Sequence, residues 1–154
     1  MMMRIENDWQ IKIIQLLSVV GIVIAYFLYL YHEGSLIGVC TPSSWDDCGQ
    51  VSGPGAPYAS VGPIPVALIG MIGYIAIFGL TWLRDWLPLL DEYVPELMLG
   101  MTGLAFLFSL WLTVLEIFVI HAVCRYCVIS ATIVTVMFVL SISYLRSVNH
   151  SADA

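Results

Sequence analysis

The sequence predicts an all-α integral membrane protein, a bundle of four transmembrane helices with a long outer loop between helices 1 and 2. Three observations carry this prediction. Of 154 residues, 60% are hydrophobic and 10% charged, with a mean hydropathy of +0.95. Soluble domains carry about 25% charged residues, so this chain lacks the side chains to cover a water-facing surface. Four apolar runs approach the roughly 20 residues that cross a bilayer, and the basic residues are shared unequally between their ends. The formal net charge is −6 and no basic cluster occurs, so nothing points to nucleic acid.

The first run covers 13–31 and closes with Tyr26, Tyr29 and Tyr31, an interfacial aromatic belt. No small-residue cleavage site follows, so it reads as a retained helix rather than a signal peptide. The other runs cover 64–83, 97–123 and 126–145. Few residues follow Leu145, so 1–154 is expected to be one membrane domain. Arg4 and Lys12 precede the first run, Arg84 lies between the second and third, and Arg146 follows the fourth; Arg125 alone lies on the other side. Basic residues collect on the cytoplasmic side, which predicts cytoplasmic termini and an outer loop at 32–63.

All four cysteines, Cys40, Cys48, Cys124 and Cys127, then face that outer side, where disulfides form and persist. A cysteine that only fills space could sit at any depth. The loop "HEGSLIGVCTPSSWDDCGQVSGPGAPYASVGP" is rich in Gly, Pro and Ser and is expected to hold little regular structure. A short helix near "SSWDDCGQV" would take Ser43 or Ser44 as its cap. Asp46 and Asp47 read as solvated loop charges. "CRYC" is itself the connection between helices 3 and 4, so Cys127 is expected near a helix N-terminus that favours its thiolate, with Arg125 adding to that effect. A CxxC pair facing a second pair suits thiol–disulfide exchange, one thiolate attacking and its neighbour resolving.

Other cysteine chemistries fit less well. Haem attachment needs His directly after CxxC, and residue 128 is Val. A four-cysteine zinc site needs closer spacing than Cys40 and Cys48 provide, so no metal is expected. Two static disulfides in an accessory subunit of a larger membrane respiratory or photosynthetic complex form the alternative reading. An exchange relay needs an acceptor, and no dinucleotide loop or bis-histidine pair is present. The bilayer supplies quinone, ubiquinone or menaquinone, which Cys127 would reduce. Polar residues inside spans are functional candidates by default, so Glu116 and His121 are expected near that quinone, His121 on roughly the face of Cys124. A structural hydrogen bond is the rival for Glu116, and simple water contact for His121. Gly70 with Gly73, and Gly100 with Gly103, read as close-packing positions between helices.

The layout resembles the vitamin K epoxide reductase family, particularly its bacterial members. "LEIFVIHAVCRYCVIS" looks like their third-helix ending and "YASVGPIPVALIGMIGY" like the start of their second helix; the likeness covers roughly 13–145. It implies a quinone-dependent thiol oxidoreductase of the bacterial inner membrane that supports disulfide formation. By resemblance, Cys40 exchanges with a thioredoxin-like (DsbA-like) protein and Cys48 attacks Cys124 of the Cys124–Cys127 disulfide. Cys127 then contacts the quinone, with Tyr58 lying over it. Many bacterial members carry a fused thioredoxin-like domain after the fourth helix; this sequence stops first, so the partner is expected to be separate. Val66 and Ala131 stand where the animal enzymes carry the Asn and Tyr that hold vitamin K, so the resemblance leaves vitamin K epoxide open as a substrate. Ser52 and Ser60 both fit the family's serine after the loop cysteines.

Overall fold

A computed structural model describes residues 4–36 and 46–153, with side chains from residue 9 onward. Four long helices dominate: α1 (Arg4–His32), α3 (Val66–Trp86), α5 (Val94–Leu115) and α6 (Arg125–Asp153). All four are long and apolar enough to cross a membrane. The chain is therefore a multi-pass membrane protein. Between α1 and α3 lie the short helix α2 (Cys48–Ser52) and a hairpin of β1 (Ser60–Val61) and β2 (Ile64–Pro65). The outer loop thus carries more local order than its composition suggested. Gly62 takes φ +63° in the hairpin turn, a conformation that glycine adopts freely.

Helix α1 packs on α3 and α6, and α5 packs on α6. Ile14, Tyr74, Ile77, Met98 and Met137 form the centre of the bundle. Gly21 matters here, because a Cβ at that position would run into the Tyr74 ring. The outward faces carry large apolar residues such as Leu107 and Phe118, as lipid-facing helices must. Hydrogen bonds cross the bundle from Thr102 to Ser141 (3.1 Å) and between Tyr74 and Ser130 (2.7 Å). Such bonds between membrane helices contribute about 0.6 kcal/mol each. At the end of α3 away from the hairpin, Pro88 starts the four-residue helix α4 (Pro88–Asp91), and Asp91 pairs with Arg84 at 2.9 Å.

The third apolar run ends differently from the uninterrupted helix expected over 97–123. The α-helix stops at Leu115, and Glu116–Ile120 forms a single π-turn. His121 closes it in the left-handed region at φ 55°, and the Ala122 N–H returns to the Glu116 carbonyl at 3.2 Å. The Glu116 carbonyl thus accepts both the His121 and the Ala122 N–H groups, which closes the helix end. The chain then leaves the helix axis, and Val123 pairs with Asp46 as an isolated parallel bridge.

Candidate functional site

The C-terminal end of α1, the N-terminal ends of α3 and α6, and the π-turn converge with α2 on one small region, and the sulfurs meet there. Asp47 caps α2: its carboxylate accepts the N–H groups of Gly49 (3.0 Å) and Gln50 (3.3 Å). The cap is therefore Asp47, while Ser43 and Ser44 lie outside the described residues. A short acidic side chain satisfies free helix N–H groups as well as serine does. Nor is Asp46 only a solvated charge. Its Oδ2 accepts the Arg125 Nε at 2.6 Å and also the Nη2 of the same guanidinium.

Capping places Cys48, the first residue of α2, against the CxxC turn. The Cys48 and Cys124 sulfurs are 3.0 Å apart and both residues are fully buried. That separation is about 1 Å longer than a disulfide bond. Cys124 immediately precedes α6, and its carbonyl accepts the first helical N–H, from Val128, at 3.0 Å. Its sulfur accepts a hydrogen bond from the Cys127 thiol, and the N–H groups of Cys127 and Tyr126 also point at it. The Cys127 hydrogen bond chiefly draws the Cys124 thiol down to about 6; burial opposes this, and the Cys48 thiol and the two N–H groups reinforce it. The helix terminus thus favours the thiolate of Cys124, where the sequence pointed to Cys127. The free N–H groups of a first turn converge on the residue before it. Arg125 is turned away toward Asp46.

Behind the sulfurs lies a cavity of about 450 Å³, within the range of small-molecule sites. Its outer end is lined by His32, Ser52, Tyr58, Glu116 and Cys127; its deeper wall is apolar, from Ile69, Ile77, Met101, Leu104 and Phe108. Cys48 and Cys124 lie outside the lining, so among the described cysteines Cys127 alone reaches it. The Ser52 hydroxyl lies 3.6 Å from the Cys127 sulfur. Between the two serines left open by the sequence, Ser52 is the one against the CxxC; Ser60 lies in β1.

Glu116 is 5% exposed, and its Oε2 faces the Cys124 N–H at 3.4 Å. Its carboxyl also lies within hydrogen-bond reach of Cys127. His121, three residues before Cys124, is exposed and does not line the cavity. Helical spacing put it on the face of Cys124, but the π-turn and the left-handed residue break that spacing. His32 is the group that sequence reasoning missed. It lines the cavity, and its Nδ1 is buried without a hydrogen-bond partner among the described residues. At the end of an apolar run, it reads as interfacial until the cavity is seen.

Gly70 and Gly73 line the same cavity, and a Cβ at either would meet nothing within 4 Å. They widen the cavity rather than bring helices together. Gly100 is likewise open, whereas a Cβ on Gly103 would press on Phe138 at 3.3 Å. Cys40 lies outside the described residues. Val66 lines the cavity and Ala131 does not, so neither position offers a side-chain hydrogen bond there.

A family model described as vitamin K epoxide reductase family matches residues 12–142, most of the chain. No curated protein matches it.

Proposed function

Since the chain belongs to the vitamin K epoxide reductase family, a membrane thiol–disulfide oxidoreductase family that is quinone-linked in general, we propose that it oxidises dithiols outside the cytoplasm and passes their electrons to a membrane quinone. The observation that carries this is the line of sulfur atoms. Cys48 touches Cys124, Cys124 is hydrogen-bonded to Cys127, and Cys127 opens into a cavity with a polar outer end and an apolar depth.

The chemistry balances as a relay. A dithiol on a thioredoxin-like partner reduces a Cys40–Cys48 disulfide and becomes a disulfide itself. The Cys48 thiolate attacks Cys124 of a Cys124–Cys127 disulfide, and Cys127 leaves as a thiolate. Cys40 then attacks Cys48, closing the outer disulfide and releasing Cys124. A low thiol pKa makes Cys124 a good leaving group in that last step. The relay leaves a Cys124–Cys127 dithiol, which returns to a disulfide by giving up two electrons and two protons. Quinone supplies an acceptor for both.

The residues at the outer end of the cavity have matching tasks. Cys127 donates, Ser52 steadies its sulfur, and Glu116 relays protons one at a time, the second coming from water where the Cys124 thiol is already ionised. Tyr58 and His32 bind the ring oxygens, the unpartnered Nδ1 of His32 being the group that gains most. Val66 provides no hydrogen bond, so the substrate proposed is a quinone and not vitamin K epoxide.

The test is a thiol-trapping assay on reduced, purified protein in detergent. On addition of a soluble quinone, one quinol should form for each pair of thiols lost. Cys127→Ser should abolish quinol formation, and Glu116→Gln should slow it about a hundredfold, as loss of a positioned proton acceptor does. Thiols that stay reduced beside unchanged quinone would favour static disulfides in an accessory subunit instead.

A further inference from the structure

We infer that Arg125 and Asp46 form a clasp that positions Cys48 on Cys124 for exchange and opens when Cys48 must turn outward. The inference rests on the relay reading, and it assigns a positioning role to two residues that flank the reacting sulfurs.

The pair brackets the reacting sulfurs. Asp46 lies two residues before Cys48 and Arg125 directly follows Cys124. Two guanidinium nitrogens converge on a single carboxylate oxygen, Oδ2 of Asp46. On the same stretch the backbone of Asp46 pairs with Val123. The loop and the CxxC turn are therefore joined by a charge pair, a backbone bridge and the sulfur contact, all within three residues in each segment. Helix α2 has only five residues, too few to hold a position by itself. What keeps Cys48 on Cys124 must come from contacts outside that helix.

The same contacts suit release. The Arg125 side chain is 59% exposed and that of Asp46 is 23% exposed, so water and salt reach the pair. An ion pair in that setting is weak and readily opened. The second carboxylate oxygen, Oδ1, is buried with no hydrogen-bond partner among the described residues. Closure leaves this acceptor unsatisfied, and opening lets water reach it. The clasp thus holds strongly enough to align two sulfurs and weakly enough to let one of them depart.

The experiment uses the full chain in detergent with Cys40→Ser and Cys127→Ser, which leaves Cys48 and Cys124. The protein is equilibrated with mixtures of glutathione and glutathione disulfide. Each Cys48–Cys124 bond formed sends two electrons and two protons to one glutathione disulfide, giving two glutathione thiols. Alkylation and mass measurement give the equilibrium constant. Asp46→Asn or Arg125→Gln should each lower it about threefold to fivefold, the range open to a partly exposed ion pair. The reversed pair, D46R with R125D, should recover most of the loss. Raising salt from about 0.05 to 0.5 M should weaken the parent and leave the single variants nearly unmoved. A constant unchanged in both single variants, with no salt dependence in the parent, overturns the clasp alone. Failure of the parent to form the Cys48–Cys124 disulfide at all overturns the relay reading, and the clasp with it.

Discussion

Cys124 acts both as a link between two other thiols and as the sulfur on which the first turn of α6 closes. Its thiol is drawn to about 6, first by the hydrogen bond from Cys127 and then by Cys48 and two backbone N–H groups. Reduction of the Cys124–Cys127 disulfide therefore takes up two protons below that pH and one above it. In a two-electron couple each proton counts about 30 mV per pH unit, so the slope should fall from about 59 to about 30 mV per unit. Titrating the potential of a Cys40→Ser/Cys48→Ser protein should show this bend, moved somewhat above pH 6 by loss of the Cys48 hydrogen bond. A straight line at about 59 mV per unit up to pH 8 would show that Cys124 is not the thiolate. Residue types and spacing set the expectation that all four cysteines form a redox set. Which sulfur the helix terminus serves was not legible, because it depends on where the chain turns, one residue either way.

The π-turn decides what the outer end of the third span presents. Helical periodicity puts His121 on roughly the face of Cys124; the five-residue turn keeps Glu116 inside and sends His121 out. No signal in "LEIFVIHAVC" marks such a turn, since its residues suit an ordinary apolar helix. The glycines of α3 carry a similar lesson. Small residues four apart or closer usually mean close helix contact, yet Gly70 and Gly73 face open space. Gly73→Leu should fill that space without disturbing the backbone and raise the KM for quinone about tenfold. The redox equilibrium between Cys48 and Cys124 should stay as it was. Steady-state quinone titrations check this, and an unchanged KM would place the ring elsewhere.

Across the whole molecule, the four spans alternate in direction, so the loop helix, the CxxC turn and the outer end of the cavity gather at one end of the bundle. The opposite end holds the Arg84–Asp91 pair, the start of α1 and the end of α6. If the basic residues mark the cytoplasmic side, a membrane-impermeant thiol reagent should label Cys40 in intact cells after reduction. A cysteine placed at Ser147 should be labelled only once the membrane is permeabilised. The reverse pattern would invert the topology. The full burial of Cys48 and Cys124 predicts slow labelling of both in folded protein and fast labelling after denaturation.

Composition and run length determined by themselves that this chain is a four-span membrane protein. These follow from lipid solvation and the rise per residue, which act on each segment alone. Cysteine positions, taken with the basic residues, set the expectation of thiol chemistry at one face. The tertiary structure decided that Cys127 alone among the described cysteines faces the cavity, that Ser52 rather than Ser60 meets it, and that His32 lines it while His121 does not. Each of these depends on distances between residues far apart in the chain, set by helix packing, a π-turn and an aspartate cap. Sequence periodicity relates only neighbours on the same element.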